Sequence, residues 1–193
     1  IAKYYTPTGR LIQRPYKELD EYYLNLSQNN REIIDSLDNQ RPVYQTRAGR
    51  TVFGGGGITP DIYIDNVLRL TKSSQDLIYG PQRFIFKYAN SIKNKFHKYN
   101  NINELSAHFS KNTFESSNFI HWLNKLITAN DEYDFEYNKD SLLLDWDFIN
   151  NRIQSEVAAN LLGKDYLYFI RLKMDKQFQR ALDSFGEAQS LIK

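Results

Sequence analysis

Hydrophobic and polar residues alternate differently in the two parts of the chain. Up to about residue 65 the apolar residues stand in short runs between turn formers. Ile1 to Tyr5 and Thr6 read as extended, Pro7-Thr8-Gly9 as a turn, and Leu11-Ile12-Gln13 as a returning strand that Pro15 ends. Tyr22, Leu26, Ile33 and Leu37 are compatible with a helical face interrupted by Asn29-Asn30, and Pro42 closes that stretch. Val43-Tyr44-Gln45-Thr46 and Thr51-Val52-Phe53 are strand candidates around an Ala48-Gly49 turn, and Ile62-Tyr63-Ile64 is a further one.

Beyond residue 66 the period becomes helical. Ile85, Tyr88, Ala89, Ile92 and Phe96 recur every three or four residues, as do Phe119, Leu123, Leu126 and Ile127. Leu142, Trp146, Ile149, Ile153, Val157 and Leu161 predict one long amphipathic helix, capped by Asp140-Ser141 and stopped at Gly163. Phe178, Leu182 and Phe185 predict a last helix. The expected fold class is therefore α+β, with a short β-rich segment over 1–65 and an all-helical domain over 66–193.

Composition supports a folded chain. Of 193 residues 41% are hydrophobic, and 14 Tyr and 12 Phe against one Met place much of the core energy in aromatic burial. The absence of cysteine excludes disulfides, thiolate–metal sites and thiol nucleophiles. No apolar run reaches the ~20 residues of a membrane span. The net charge of +2 hides an uneven distribution. Residues 66–130 carry nine basic and three acidic side chains, and residues 131–193 carry eight basic and twelve acidic ones. Mutual neutralisation of these two segments is the expectation, ahead of an anionic partner.

The candidate sites each have an ordinary reading. Gly54-Gly55-Gly56-Gly57 lacks the Lys and Ser/Thr of a phosphate loop, and Pro60 follows it, so a structural glycine crossing is expected. His97, His108 and His121 are spaced unlike any short metal motif. Asp131, Asp134, Glu136 and Asp140 lack the glycine and closing glutamate of a calcium loop and read as a solvated acidic loop. No serine stands in a Gly-x-Ser-x-Gly elbow. Arg83, Lys87, Lys93, Lys95 and Lys98, interleaved with Phe84, Phe86, Tyr88 and Tyr99, have the composition of a nucleic-acid strip, yet several of those aromatics fall on the helix's apolar face.

Two segments carry a resemblance. Ala2-Lys3-Tyr4-Tyr5-Thr6-Pro7-Thr8-Gly9-Arg10-Leu11-Ile12-Gln13 resembles the Tyr-Tyr-Thr-Pro-Ser-Gly-Arg-x-Ile-Gln segment of carboxy-terminal processing (tail-specific) serine proteases, peptidase family S41, with Thr8 in place of the usual Ser. Gly57-Ile58-Thr59-Pro60-Asp61-Ile62 resembles the Gly-Ile-x-Pro-Asp segment that follows it in that family, here after an insertion at 14–53. The resemblance covers 1–65 well and 66–193 loosely. It implies a parent endopeptidase with a Ser–Lys dyad, cleaving near protein C-termini in the periplasm or cell envelope of a bacterium. Its catalytic residues and PDZ-like domain would lie upstream, and Ile1 to Tyr5, read as a strand without an initiator Met, is expected to begin inside that folded unit. No residue of this chain is assigned a catalytic, cofactor-binding or metal-ligating role; Lys3 lies inside the later motif and is not the dyad lysine. No cofactor is expected. The expected partners are the upstream core and PDZ-like domain and the parent's protein or peptide substrates. Nucleic acid is not expected, and a homo-oligomer is left open. The helical domain would serve packing, assembly or substrate access. The alternative is a non-enzymatic helical module that binds protein or nucleic acid through the basic segment 83–98.

Overall fold

Thr-x-x-Gly-Arg occurs twice in the N-terminal part, at Thr6–Arg10 and Thr46–Arg50, and each copy folds into the same tight turn in the computed structural model. The structure describes residues 2–13, 41–55, 57–58, 61–64, 68–111, 114–130 and 133–190. In each turn the glycine amide donates to the threonine carbonyl (2.9 Å from Gly9, 3.0 Å from Gly49), and the threonine amide donates to the arginine carbonyl (2.9 and 2.8 Å). The threonine hydroxyl accepts from the arginine amide at 3.2 and 3.1 Å. Gly9 and Gly49 have φ of 80° and 76°, the left-handed conformation this turn demands and a side chain resists. The second turn joins β1 (Val43–Gln45) to β2 (Thr51–Phe53), paired antiparallel with Tyr44 opposite Val52. The first closes only a single bridge, Tyr5 to Leu11, rather than the two strands expected there. Residues 61–64 form a bend and irregular chain, not the expected strand. Their β propensity is real, but a strand exists only through pairing. The helical face expected at Tyr22, Leu26, Ile33 and Leu37 lies outside the described residues.

The chain divides into two compact units, Ile1–Tyr63 with Ser184–Lys193, and Ile64–Asp183. The fold class is α+β and mostly helical, with one small two-stranded antiparallel sheet among the described residues. The helices are α1 (Lys72–Tyr79), α2 (Phe84–Ile92), which runs into a 3-10 turn at Lys93–Phe96, α3 (Ile102–Lys111) and α4 (Ser116–Thr128). Then follow α5 (Lys139–Leu144), α6 (Trp146–Leu162), α7 (Asp165–Arg171) with a 3-10 turn at Leu172–Met174, α8 (Lys176–Asp183) and α9 (Phe185–Ser190).

Helix α6 is the centre of the Ile64–Asp183 unit, packed against α2, α3 and α7. Ile149, Ile153 and Val157 are fully buried along one face, while Asn150, Asn151, Gln154 and Ser155 are buried on others. This is a correction to the expected amphipathic helix: α6 is enclosed nearly all round. Two of its buried amides find partners across the unit, while Asn160 Nδ2 is buried without one among the described residues. Asn150 Oδ1 accepts from the Phe114 amide at 3.3 Å, and Asn151 Nδ2 donates to the Ile170 carbonyl at 3.0 Å.

The expected single helix from Leu142 to Leu161 is also two, broken at Asp145 (φ −96°, ψ 13°). The cap differs too. Asn138, not Asp140-Ser141, caps α5, its Oδ1 accepting from the Ser141 amide at 2.9 Å. The break has a visible cause. The Asp145 carboxylate accepts from the amide and hydroxyl of Thr71 at 2.8 and 2.7 Å, at the start of α1. The last helix is likewise divided at Ser184, and Leu182 and Phe185 are exposed rather than facing a core.

Aromatic rings fill the core as composition predicts. Tyr88 meets Phe119 at 4.9 Å between centroids and Trp122 at 5.0 Å. Phe96, Phe109 and Phe114 form a mutual triad, each pair at 5.7 Å. Residues 133–138 form neither helix nor strand, with the Phe135 amide donating to the Tyr133 carbonyl at 2.9 Å, yet they alternate strictly, Tyr133, Phe135 and Tyr137 turned inward and Asp134 and Glu136 outward. Phe135 packs at 4.8 Å from Phe84, which is fully buried. The expected acidic loop is thus also an aromatic strap. Asp134, Glu136 and Asp140 are exposed, while the Tyr133 and Phe135 rings pack against Phe84 of α2.

Candidate functional site

The two motif segments of the N-terminal unit are joined through Arg10. Its Nε donates to the Phe53 carbonyl at 2.7 Å and an Nη to the Gly57 carbonyl at 3.5 Å. The Gly55 amide donates to the Leu11 carbonyl at 2.9 Å, and the Gly54 amide to the Pro42 carbonyl at 2.9 Å. Arg50, the arginine of the second turn, pairs with Asp61. Gly54 is buried under the Tyr44 ring; a Cβ there would lie 2.6 Å from Tyr44 Cε2. Gly55 has φ +77°. The glycine run is therefore a crossing, as its sequence context suggests, and the amides of Gly54 and Gly55 are spent on backbone carbonyls rather than offered to a phosphate. Gly56, Thr59 and Pro60 lie outside the described residues.

The three histidines stand apart in role. Nε2 of exposed His97 lies 3.0 Å from Asn94 Oδ1, His108 packs between Phe96 (5.7 Å) and Tyr99 (5.1 Å), and His121 is exposed on α4. Among the described residues no three His, Asp or Glu side chains gather as a metal ligand set; Asp131 of the acidic loop is outside them.

The basic segment is divided between core and surface. Phe84, Tyr88 and Phe96 are buried. Arg83, in the left-handed region at φ 54°, lays its guanidinium 4.4 Å from the Phe86 centroid. Lys87 sits 4.3 Å from the Tyr133 centroid and hydrogen-bonds that hydroxyl, and Lys98 lies 5.1 Å from the Tyr99 centroid. Mutual neutralisation with the following acidic segment was the expectation. The contacts of Arg83, Lys87 and Lys98 are to aromatic rings, and ion pairs elsewhere join Arg50 to Asp61, Lys72 to Asp76 and Arg171 to Glu156.

The fold also makes a juxtaposition that no local motif signals. Lys173, on the 3-10 turn after α7, hydrogen-bonds the hydroxyl of Ser106, in the middle of α3 and 6% exposed. Burial lowers the Lys173 pKa from its ordinary value. A nucleophilic serine needs, besides a base, amide donors aimed at a developing oxyanion. The amides next to Ser106 belong to the interior of α3 and are committed to its own hydrogen bonds. The pair therefore reads as a buried hydroxyl satisfied by a lysine. Ser190 and Lys193 do stand at Ser-x-x-Lys spacing, but Ser190 donates to the Glu187 carbonyl at 2.6 Å and Lys193 lies outside the described residues.

A cleft of about 490 Å³ opens within the helical unit, between the Leu68–Leu70 segment, the start of α6 and the α7–α8 connection. Its lining is either charged or apolar, apart from the Tyr168 hydroxyl. Arg152 lies on its wall with the guanidinium 4.2 Å from the Phe148 centroid. One of its donors reaches Asn151 Oδ1 at 3.3 Å. Burial, and then the like charge of Arg171, lower the Arg152 pKa from its ordinary value. Arg171 itself is committed, to Glu156 at 3.1 Å and to Ser155 Oγ at 3.2 Å. No protein-family model, curated protein or solved structure matches this chain.

Proposed function

We propose that the chain is the C-terminal part of a carboxy-terminal processing serine endopeptidase, lacking the Ser–Lys dyad itself and contributing a helical domain to packing, assembly or substrate access. The observation that carries this reading is the Arg10 junction. The two segments that resemble the protease family, more than forty residues apart, meet through one arginine of the first motif and the carbonyls of Phe53 and Gly57 beside the second. A second observation supports it. Tyr4, Tyr5 and Val43, apolar side chains on the two hairpins, are 65%, 59% and 62% exposed, as strand faces would be whose cover is the rest of a protease core.

The test uses the parent and the chain side by side. The gene upstream of Ile1 is expected to encode a Gly/Ser-rich nucleophile segment and a later Gly-Lys-Gly segment, and the full-length parent is expected to cleave unstructured proteins near their C-termini. Arg10→Ala in that parent is expected to lower cleavage by loosening the junction while leaving the helical unit folded. The 193-residue chain alone is expected to have no turnover. Turnover by the isolated chain that persists through repurification and vanishes in Ser106→Ala would overturn the proposal. So would a start codon at Ile1, which favours the non-enzymatic binding module.

A further inference from the structure

The cleft at the start of α6 brings four cations, Arg69, Arg152, Arg171 and Lys176, to one concavity with three carboxylates, Asp145, Asp147 and Asp175. Their commitments differ. Asp145 is bound by Thr71, and Asp175 Oδ1 accepts from the Phe178 amide at 3.0 Å at the head of α8. Arg171 is held by Glu156. Arg152 is half-buried and gives one donor to Asn151, which leaves most of its planar fork without a partner. A half-buried guanidinium over a phenyl ring, lining the same cleft as a second guanidinium, is a poor resting place for a positive charge unless an anion joins it.

We propose that this cleft binds a small amphipathic monocarboxylate, its acid head on the Arg152 fork and its hydrocarbon body along Leu70, Leu144, Phe148, Leu172 and Met174. Three features set the chemistry. The planar fork matches a carboxylate bidentately. With Arg171 neutralised by Glu156 the remaining three cations match the three carboxylates, so the cleft offers one directed guanidinium fork rather than a net positive charge; that suits a singly charged head, while a dianion such as a phosphate monoester would meet the three aspartates unfavourably. The side chains assigned to the hydrocarbon body, Leu70, Leu144, Phe148, Leu172 and Met174, offer no hydrogen bond to a peptide backbone lying along them, which favours a free organic acid over a chain terminus. The volume lies within the ordinary range of small-molecule sites. This inference rests on the helical unit alone and is independent of the protease reading.

Calorimetric titration of the full chain with decanoate, its neutral isostere decanamide and the peptide acetyl-Leu-Phe-Leu tests it. Decanoate is expected to bind saturably, with decanamide weaker by about tenfold or more because the bidentate ion pair is lost and one carbonyl acceptor remains. Arg152→Leu is expected to weaken decanoate by about tenfold or more and decanamide by clearly less. Lys176→Glu, at an exposed position on the rim, is expected to weaken decanoate severalfold and keeps the test decisive if the Arg152 variant does not fold. No saturable binding of decanoate, equal affinity for decanoate and decanamide, or unchanged affinity in the folded variants would overturn the proposal. Peptide binding tighter than decanoate would overturn the assignment to a free acid.

Discussion

In the described residues of the hairpin unit backbone hydrogen bonds, threonine hydroxyls and the side chains of Arg10 and Arg50 supply much of the order. In the helical unit they are rings and aliphatic side chains removed from water. Every fully or nearly fully buried hydrophobic among the described residues falls between Leu77 and Ile170. The hairpins bury Gly54 and leave Tyr4, Tyr5, Val43 and Ile58 largely exposed. A lone two-stranded hairpin is marginal in water, because its hydrogen bonds merely replace those to solvent. The comparison teaches that these two kinds of order should fail separately, and by different amounts.

The largest effect belongs to the helical core. Phe84 is fully buried against Phe135 and Tyr133, and Phe84→Ala is expected to cost ~3–5 kcal/mol. Denaturant unfolding followed by helical circular dichroism measures it; a loss below ~1 kcal/mol would mean that the strap does not close the core. Trp146 is half-buried, with Nε1 donating to the Phe114 carbonyl at 3.2 Å, so its truncation should fall below the range for a fully buried indole.

Arg10→Ala is expected to cost about 1–2 kcal/mol, confined to the hairpins. Gly55→Ala should cost about 1 kcal/mol through its positive φ. Amide exchange at position 55 should quicken in both variants while the helical melt stays put. A matching shift of the helical transition would erase the distinction between the units.

Acid sharpens the comparison from another side. Burial opposes ionisation of Asp145, but hydrogen bonds from Ser74 and Thr71 outweigh it, so its carboxyl titrates below the ordinary range. A carboxyl held lower in the folded than in the unfolded chain contributes stability above ~3.9, its unfolded value, and that contribution is lost as pH falls through the folded one. Helical stability should therefore drop in acid, and Asp145→Asn should flatten that limb. An unchanged acid limb in the variant would assign the drop to other carboxylates.

The smallest effect is expected at Lys93, Lys95 and Lys98. Each to Gln should change stability by less than ~0.5 kcal/mol, and DNA or RNA should not bind in a salt-dependent way. Micromolar binding that weakens with salt and disappears when the charges at 83, 87, 93, 95 and 98 are reversed would establish the alternative binding module.

Local chemistry settled much of this protein in advance. The turns at Thr6–Arg10 and Thr46–Arg50 are legible because glycine at a fixed offset from a threonine has few other conformations to adopt, and the recurrence of Thr-x-x-Gly-Arg was itself a readable signal. The buried faces of α2 and α4 are legible because a period of 3.6 residues places Tyr88 with Ile92, and Phe119 with Leu123, on one side. Tertiary structure alone decided the break at Asp145, because its partner Thr71 lies 74 residues away. It also placed Lys173 on Ser106, turned Tyr133, Phe135 and Tyr137 inward between solvated acids, and set Arg152 beside Arg171 in a cleft. Periodicity and turn rules act over a few residues and fix which face a side chain takes. Which distant group meets that face is chosen by packing, where one arrangement of rings and buried charges excludes the others.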